Sequence, residues 1–279
     1  MLLKLSCADF TFPLLKHADA LKLISMMGFH GVDIGLFEER SHLRPSTEFA
    51  NTAKNAKALK ENLDAVGLVA ADIFMQTALD FSLIAPNHPD EKVREKNRNW
   101  FLNTLDYAAI VGSEHISVLP GVVFEEEEYE ESLTRCCEEL AWRTQKAKEF
   151  KIVLGIEAHI GSIADTPQKT LELAKSVKDL TLTLDYTHFT KLGYSDNQIN
   201  ILLPYASHFH ARGAAPGKLQ CMVTENTIDY TAIINTLKAL NYEGYIGIEY
   251  TWSDWENCNR NDNVSETILL KELIEKALY

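Results

Sequence analysis

The chain lacks any apolar run approaching the ~20 residues that cross a bilayer, and it lacks the positive charge that draws a polyanion. Its 27 lysines and arginines are set against 40 acidic residues, a formal charge of −13. Phosphate backbones are gripped by a net basic face, so neither a nucleic acid nor a membrane is expected as partner. Cysteine is scarce and unpatterned: Cys7, Cys136, Cys137, Cys221 and Cys258 are scattered, odd in number and form no C-x-x-C pair. Neither a disulfide frame nor a thiolate zinc site is indicated, and the thiols read as those of a reduced compartment. Met1-Leu2-Leu3-Lys4-Leu5 is a short strand pattern without the basic region and long apolar segment of a secretory leader. The expected location is therefore cytoplasmic. No Ser/Gly linker, low-complexity tract or shift in composition divides the sequence, so residues 1–279 are expected to form one domain. At 46% hydrophobic, a chain of 279 residues can bury a large core.

Strand-like and helix-like segments alternate eight times. Strand patterns fall at 2–7, 31–36, 68–75, 115–119, 152–157, 180–185, 206–211 and 244–250. Helical periodicity covers 14–27, 46–66, 91–111, 126–149, 167–178, 197–203, 229–240 and 264–278. Gly28, Gly67 and Gly112 stand where C-terminal caps belong, Asp165-Thr166-Pro167 opens one helix, and Asp229 caps another. The acidic run Glu125–Glu128 suits the start of a helix, where negative charge complements the dipole. Eight β/α units in one uninterrupted stretch predict an α/β fold, a single (β/α)8 TIM barrel.

Four apolar runs in the second half each end on a side chain able to bind a metal. They reach Glu157, Asp185, His210 and Glu249. Strand alternation puts Gly155 on the side of Glu157, Thr181 and Thr183 on that of Asp185, and Gly247 on that of Glu249. The opposite sides carry Leu154, Ile156, Leu182, Leu184, Ile246 and Ile248. Small residues beside the acids and bulky aliphatics opposite fit a crowded barrel lumen opening on a polar rim, with helices packed outside. Active sites on this architecture lie at the C-terminal strand ends. Three acids and an imidazole converging there form a site for one divalent cation, Mn²⁺ or Mg²⁺ by oxygen content, with Co²⁺ or Zn²⁺ able to substitute.

Gly155-Ile156-Glu157, Asp185-Tyr186-Thr187-His188, His208-Phe209-His210 and Gly247-Ile248-Glu249 together resemble the xylose-isomerase-like barrel superfamily. Within it, the sugar (phosphate) isomerase/epimerase branch is most similar, including ketose 3-epimerases and inosose-processing enzymes. The resemblance implies Glu157, Asp185, His210 and Glu249 as metal ligands and His188 as a substrate contact. Ketose epimerases also grip substrate with an arginine several residues beyond the metal histidine. Here Arg212 stands only two residues after His210, and it is the expected replacement, with an exposed surface ion pair as the alternative. The resemblance further implies dimers or tetramers that pack around their mouths.

The expected chemistry is proton abstraction beside the carbonyl of a sugar, keto-sugar or polyol. The cation stabilises an enediolate while Glu157 and Glu249, from opposite sides of the rim, act as acid and base. Epimerisation and aldose/ketose isomerisation differ only in where the proton returns. Lyase chemistry on the same scaffold, dehydration of a keto-inositol or cleavage of a 3-keto-glycoside, is the alternative. A nuclease is disfavoured, because strands three and four end in Gln76 and Pro120 without the histidines of a three-zinc site. Trp252 and Trp255 follow the last strand, and Trp252 is expected to stack on a sugar face. Phe10 and Phe12 follow the first strand. His208 is expected as a packed, hydrogen-bonded residue, His115 as structural, and His159 as an ordinary loop histidine. The segment from Gln76 to Pro89 has the length of a lid. No Gly-rich phosphate cradle is present, which leans the substrate towards an unphosphorylated one.

Overall fold

Eight short strands close on one another in sequence order, every neighbour parallel, from β1 round to β8 and back. They are β1 Lys4–Ala8, β2 Gly31–Phe37, β3 Val69–Gln76, β4 His115–Val118, β5 Val153–Ile156, β6 Thr181–Asp185, β7 Ala206–Ala211 and β8 Tyr245–Ile248. The structure is a computed structural model that describes residues 3–278. Residue 2 of the expected first strand, with residues 1 and 279, lies outside the described residues. Each remaining strand falls within a residue or two of its expected bounds, because short β-branched and aliphatic runs between turn residues leave few alternatives.

Alternation sorts the strands as expected. Leu154, Ile156, Leu182, Leu184, Ile246 and Ile248 are buried in the large apolar shell between strands and helices. The inward positions are small because the lumen is crowded. A methyl group on Gly155 would collide with Thr183 Oγ1 and His115, and one on Gly247 with the Asp33 carboxylate. The lumen is filled by polar groups that pair with one another, with Asp33 Oδ1 and Asp72 Oδ2 left over. Asp72 Oδ1 lies 2.6 Å from His115 Nδ1, whose other nitrogen is 2.8 Å from Ser207 Oγ. Burial would raise the Asp72 carboxyl, but the nearby His115 ring overcomes it and holds the group down to about 2. Ser117 and Thr183 share a hydrogen bond of 2.6 Å, and His208 Nε2 reaches Asp33 Oδ2 at 3.1 Å. His115 and His208 are thus structural, as read from the sequence.

The helices follow their caps. Asn51 accepts from the Lys54 amide to start Thr52–Val66, which ends on left-handed Gly67. Thr166 with Pro167, and Asp229, likewise open their helices. Several expected helices are shorter or broken, 14–27 being reduced to His17–Met26. The segment 46–66 divides into Pro45–Glu48, a 3-10 turn and Thr52–Val66, since Asn51 leaves helical geometry. The acidic run precedes its helix, Tyr129–Glu149, and Glu127 pairs with Arg135 from the turn. The segment 197–203 becomes Asp196–Ile199 followed by a 3-10 stretch containing Pro204, which has no amide to donate. Among the described residues no helix is long and apolar enough to cross a membrane.

Candidate active site

Parallel register gathers the expected side chains at one rim. His210 pairs with Asp185 on β6 and with Gly247 on β8. Glu157 and Glu249 each follow their strand by one residue. Their amides extend the ladder, donating to Val118 O at 3.0 Å and Ala211 O at 2.9 Å. The backbone therefore fixes where both carboxylates begin.

Three donors converge. Glu157, His210 and Glu249 are buried, and their ligand atoms all lie within 4.8 Å of one another. His210 Nδ1 is 2.6 Å from Glu157 Oε1 and 3.6 Å from Glu249 Oε2. On its far side, His210 Nε2 lies 3.8 Å from Asp33 Oδ2. Asp185, expected as the fourth ligand, sits outside this group of three. Its Oδ1 accepts from the Thr187 amide and hydroxyl at 2.8 and 2.7 Å, and its Oδ2 accepts from Arg212 at 2.8 Å.

Arg212 follows the last residue of β7 and turns into the mouth. It is 3% exposed, so the surface ion pair is ruled out. Its second nitrogen lies 3.5 Å from Glu249 Oε2. One guanidinium thereby braces two of the acids. Burial would raise Asp185, but Arg212 overcomes it and holds the carboxyl below its ordinary range. His188, on the short helix Tyr186–Lys191, accepts from the Ile160 amide at 3.4 Å through Nδ1 and turns Nε2 to Asp185 at 3.5 Å. Burial pushes this imidazole down to about 3, so it stays neutral. Trp252 stands half-exposed at the same mouth.

The residues fit a divalent cation. Burial pushes Glu249 up to about 8 and raises Glu157 as well. His210 is driven the other way from what burial dictates, because Glu249 and Glu157 raise it. The upward shift of both acids and of the imidazole between them marks a shortage of positive charge. Glu249 Oε2, moreover, is buried and accepts no hydrogen bond. Two carboxylates and an imidazole are a donor set that Mn²⁺ or Mg²⁺ takes readily.

Other residues of the mouth were weakly marked or missed in the sequence. His159 is buried, not an ordinary loop histidine. It holds Ile160 O at 2.9 Å through Nδ1 and leaves Nε2 unpartnered within the pocket. Phe81, in the segment expected as a lid, sets its ring edge on His159 at 4.7 Å between centroids. Phe10 lines the pocket, whereas Phe12 joins the core. Arg40, Phe37, Phe74 and Gln76 also line it, all from β2, β3 and their ends. The strand-end rule that found the acids applies equally to Arg40, three residues past β2.

The family model described as xylose isomerase-like TIM barrel matches residues 21–273. In sequence, an uncharacterized protein of Methanocaldococcus jannaschii is 27% identical over 209 residues, 70% of this chain and 68% of that one. Among solved structures, an L-ribulose 3-epimerase has TM-score 0.77 at 14% identity, covering 99% of this chain and 94% of its own. The D-psicose 3-epimerase of Clostridium cellulolyticum H10, solved with D-tagatose, has TM-score 0.76 at 13% identity, with 99% of each chain covered. A D-tagatose 3-epimerase-like protein gives 0.75 at 22% identity, covering 99% and 100%. At these identities the likeness is one of fold.

Proposed function

Because the chain belongs to the xylose isomerase-like TIM barrel family, we propose that it is a divalent-cation-dependent isomerase or epimerase acting on a sugar, keto-sugar or polyol. The observation that carries this reading is the buried convergence of Glu157, His210 and Glu249 donors within 4.8 Å at the C-terminal rim. Its structural neighbours, among them two ketose 3-epimerases and an epimerase-like protein, support the same chemistry. Glu157, His210 and Glu249 hold the cation, and Asp185, paired in register with His210, completes the proposed set.

When bound, the cation supplies Lewis-acid stabilisation of negative charge developing on a substrate oxygen. The side chains do the rest. Burial raises both glutamates, Glu249 to about 8, the direction that acid/base exchange demands. One takes a proton from the carbon beside the carbonyl and the other returns it. Arg212 keeps Asp185 ionised and fixes the direction of Glu249. Neutral His188 and the free Nε2 of His159 offer neutral hydrogen-bonding groups to substrate hydroxyls. Phe10, Phe37, Phe74 and Trp252 exclude water from the reacting carbon and present apolar faces to the sugar ring.

Incubating a panel of ketoses, aldoses and keto-inositols with enzyme and Mn²⁺ in D₂O tests the reading. Solvent deuterium is expected on a carbon beside the carbonyl, with product mass otherwise unchanged. Glu249→Gln is expected to slow exchange by ~10²–10⁴-fold. Near-full turnover with normal metal content in that variant would rule out the two-glutamate mechanism.

A further inference from the structure

The loop after β2 points a guanidinium into the mouth and gives it no counter-charge. Arg40 is partly buried and lines the same pocket as Glu157 and Glu249. It donates to Gln76 Oε1 and lies over the Phe37 ring, 5.4 Å from the centroid. Both contacts orient it, and neither neutralises it. Its Nε–H is buried without an acceptor.

The acids that could pair with it are engaged elsewhere. Glu38 accepts from the Ser46 amide and hydroxyl at 3.1 and 2.7 Å, and Glu39 is turned to solvent. Within the pocket, Glu157 goes to His210, Asp185 to Arg212, and Glu249 lies nearest those same two cations. Among the described residues Arg40 enters no ion pair. The turn that aims it is a costly one, since Glu39 adopts φ +66°, a left-handed conformation that side chains disfavour. Ser41 then locks the loop through its hydroxyl, at 2.6 Å from Gly35 O and 2.7 Å from Leu43 O. Burial shifts the Arg40 guanidinium down, and the charges of Glu249 and Glu157 across the pocket, neither of them an ion-pair partner, offset this only in part.

A buried or half-buried arginine is normally paired. Here the missing ion-pair partner is most simply carried by the ligand, in a pocket that Arg40 shares with Glu157 and Glu249 and whose walls are Phe10, Phe37, Phe74 and Trp252. We propose that Arg40, with Gln76 beside it, is a subsite for an anionic group on the substrate, a carboxylate or phosphate borne at the end of the sugar away from the reacting carbon. This rests on and deepens the proposed function, and it departs from the leaning of the sequence towards an unphosphorylated substrate. A phosphate cradle of glycine amides is unnecessary where a preset fork donates instead.

Binding is measured by tryptophan fluorescence, with Trp252 and Trp255 at the mouth, using D-fructose, D-fructose 6-phosphate and D-fructuronate as probes. One or both anions are expected to bind at least about tenfold more tightly than the uncharged ketose, the scale of a charge-assisted hydrogen bond. Arg40→Gln is expected to abolish that preference, read as the ratio of anion to D-fructose affinity in the same variant, and Arg40→Lys to restore part of it. Which anion gains tells carboxylate from phosphate. Equal binding of all three probes to the parent, or an anion preference that survives Arg40→Gln, overturns the proposal. The two readings fail separately. Deuterium exchange without anion preference sinks the subsite alone, and anion preference without exchange into any sugar sinks the isomerase reading alone.

Discussion

Replacing Arg212 by methionine removes the guanidinium that spans Asp185 and Glu249 while keeping an apolar stem of similar reach. The contacts are 2.8 Å to Asp185 and 3.5 Å to Glu249, and all three side chains are at most 6% exposed, so solvent screens them little. Deleting one partner of a buried pair strands the other, and such losses run at about 3–5 kcal/mol. For a chain of this size, at ~2–4 °C per kcal/mol, Tm should fall by roughly 6–20 °C. The companion variant Arg212→Met with Asp185→Leu removes both charges, and most of the stability is expected to return, because apolar replacement of a whole buried pair is often neutral. Urea unfolding followed by tryptophan fluorescence, with a chelator present so that no cation compensates, measures both. If Arg212→Met stays within about 1 kcal/mol of the parent, the range of an exposed pair, or if the double variant is no more stable than the single one, the bracing role is refuted.

Three further outcomes are expected. Stripped of metal and then given Mn²⁺ at about a hundred times its Kd, the protein should gain ~2.7 kcal/mol of stability; His210→Asn should abolish the gain, and an undiminished shift would place the cation elsewhere. Acid lability should track Asp72. Its folded pKa is depressed from 3.8 to about 2, so its contribution is whole above the unfolded value and lost as pH falls towards 2, at most about 2 kcal/mol. Burial also lowers His115, so that its stabilising neutral form is lost as pH falls below ~6.5, which adds to the slope in the same direction. Asp72→Asn should flatten the dependence of urea stability on pH between ~4 and 2, and an unchanged slope counts against the pair. Finally, Gly155→Ala pushes a methyl group onto Thr183 and to 2.8 Å from His115 Cε1; a loss of roughly 1–3 kcal/mol is expected in urea unfolding, and none at all would mean the lumen is looser than its contacts indicate.

The barrel was legible because its strands are short, apolar and evenly spaced, and because parity set Gly155 and Gly247 on the side of the acids. The same parity led from Glu157 and Glu249 to His210, since a strand end is a local property. What the sequence concealed is tertiary. Asp33 and Asp72 sit inside apolar runs, yet nothing local reveals that they are buried against His208 and His115. Arg212 looked equally like a rim ion pair, and its burial, at 3% exposure, separates the cases. Arg40 stands directly behind Glu38 and Glu39, so neighbouring charges promise it a partner. The fold sends Glu38 to Ser46 instead. The helix expected from residue 126 starts at Tyr129, because acidic residues suit a turn before a helix as readily as its first residues.

The 3.1 Å bond between His208 and Asp33 joins residues 175 positions apart and lies directly beneath His210. All the proposed ligands belong to the later half of the polypeptide, whereas Asp33 comes from β2. A fragment beginning at β5 would carry every proposed ligand and still leave His208, whose ring packs against His210, without its Asp33 partner. Competence thus arrives only when the ring shuts, and complementation between separately made halves would report closure through recovered metal binding.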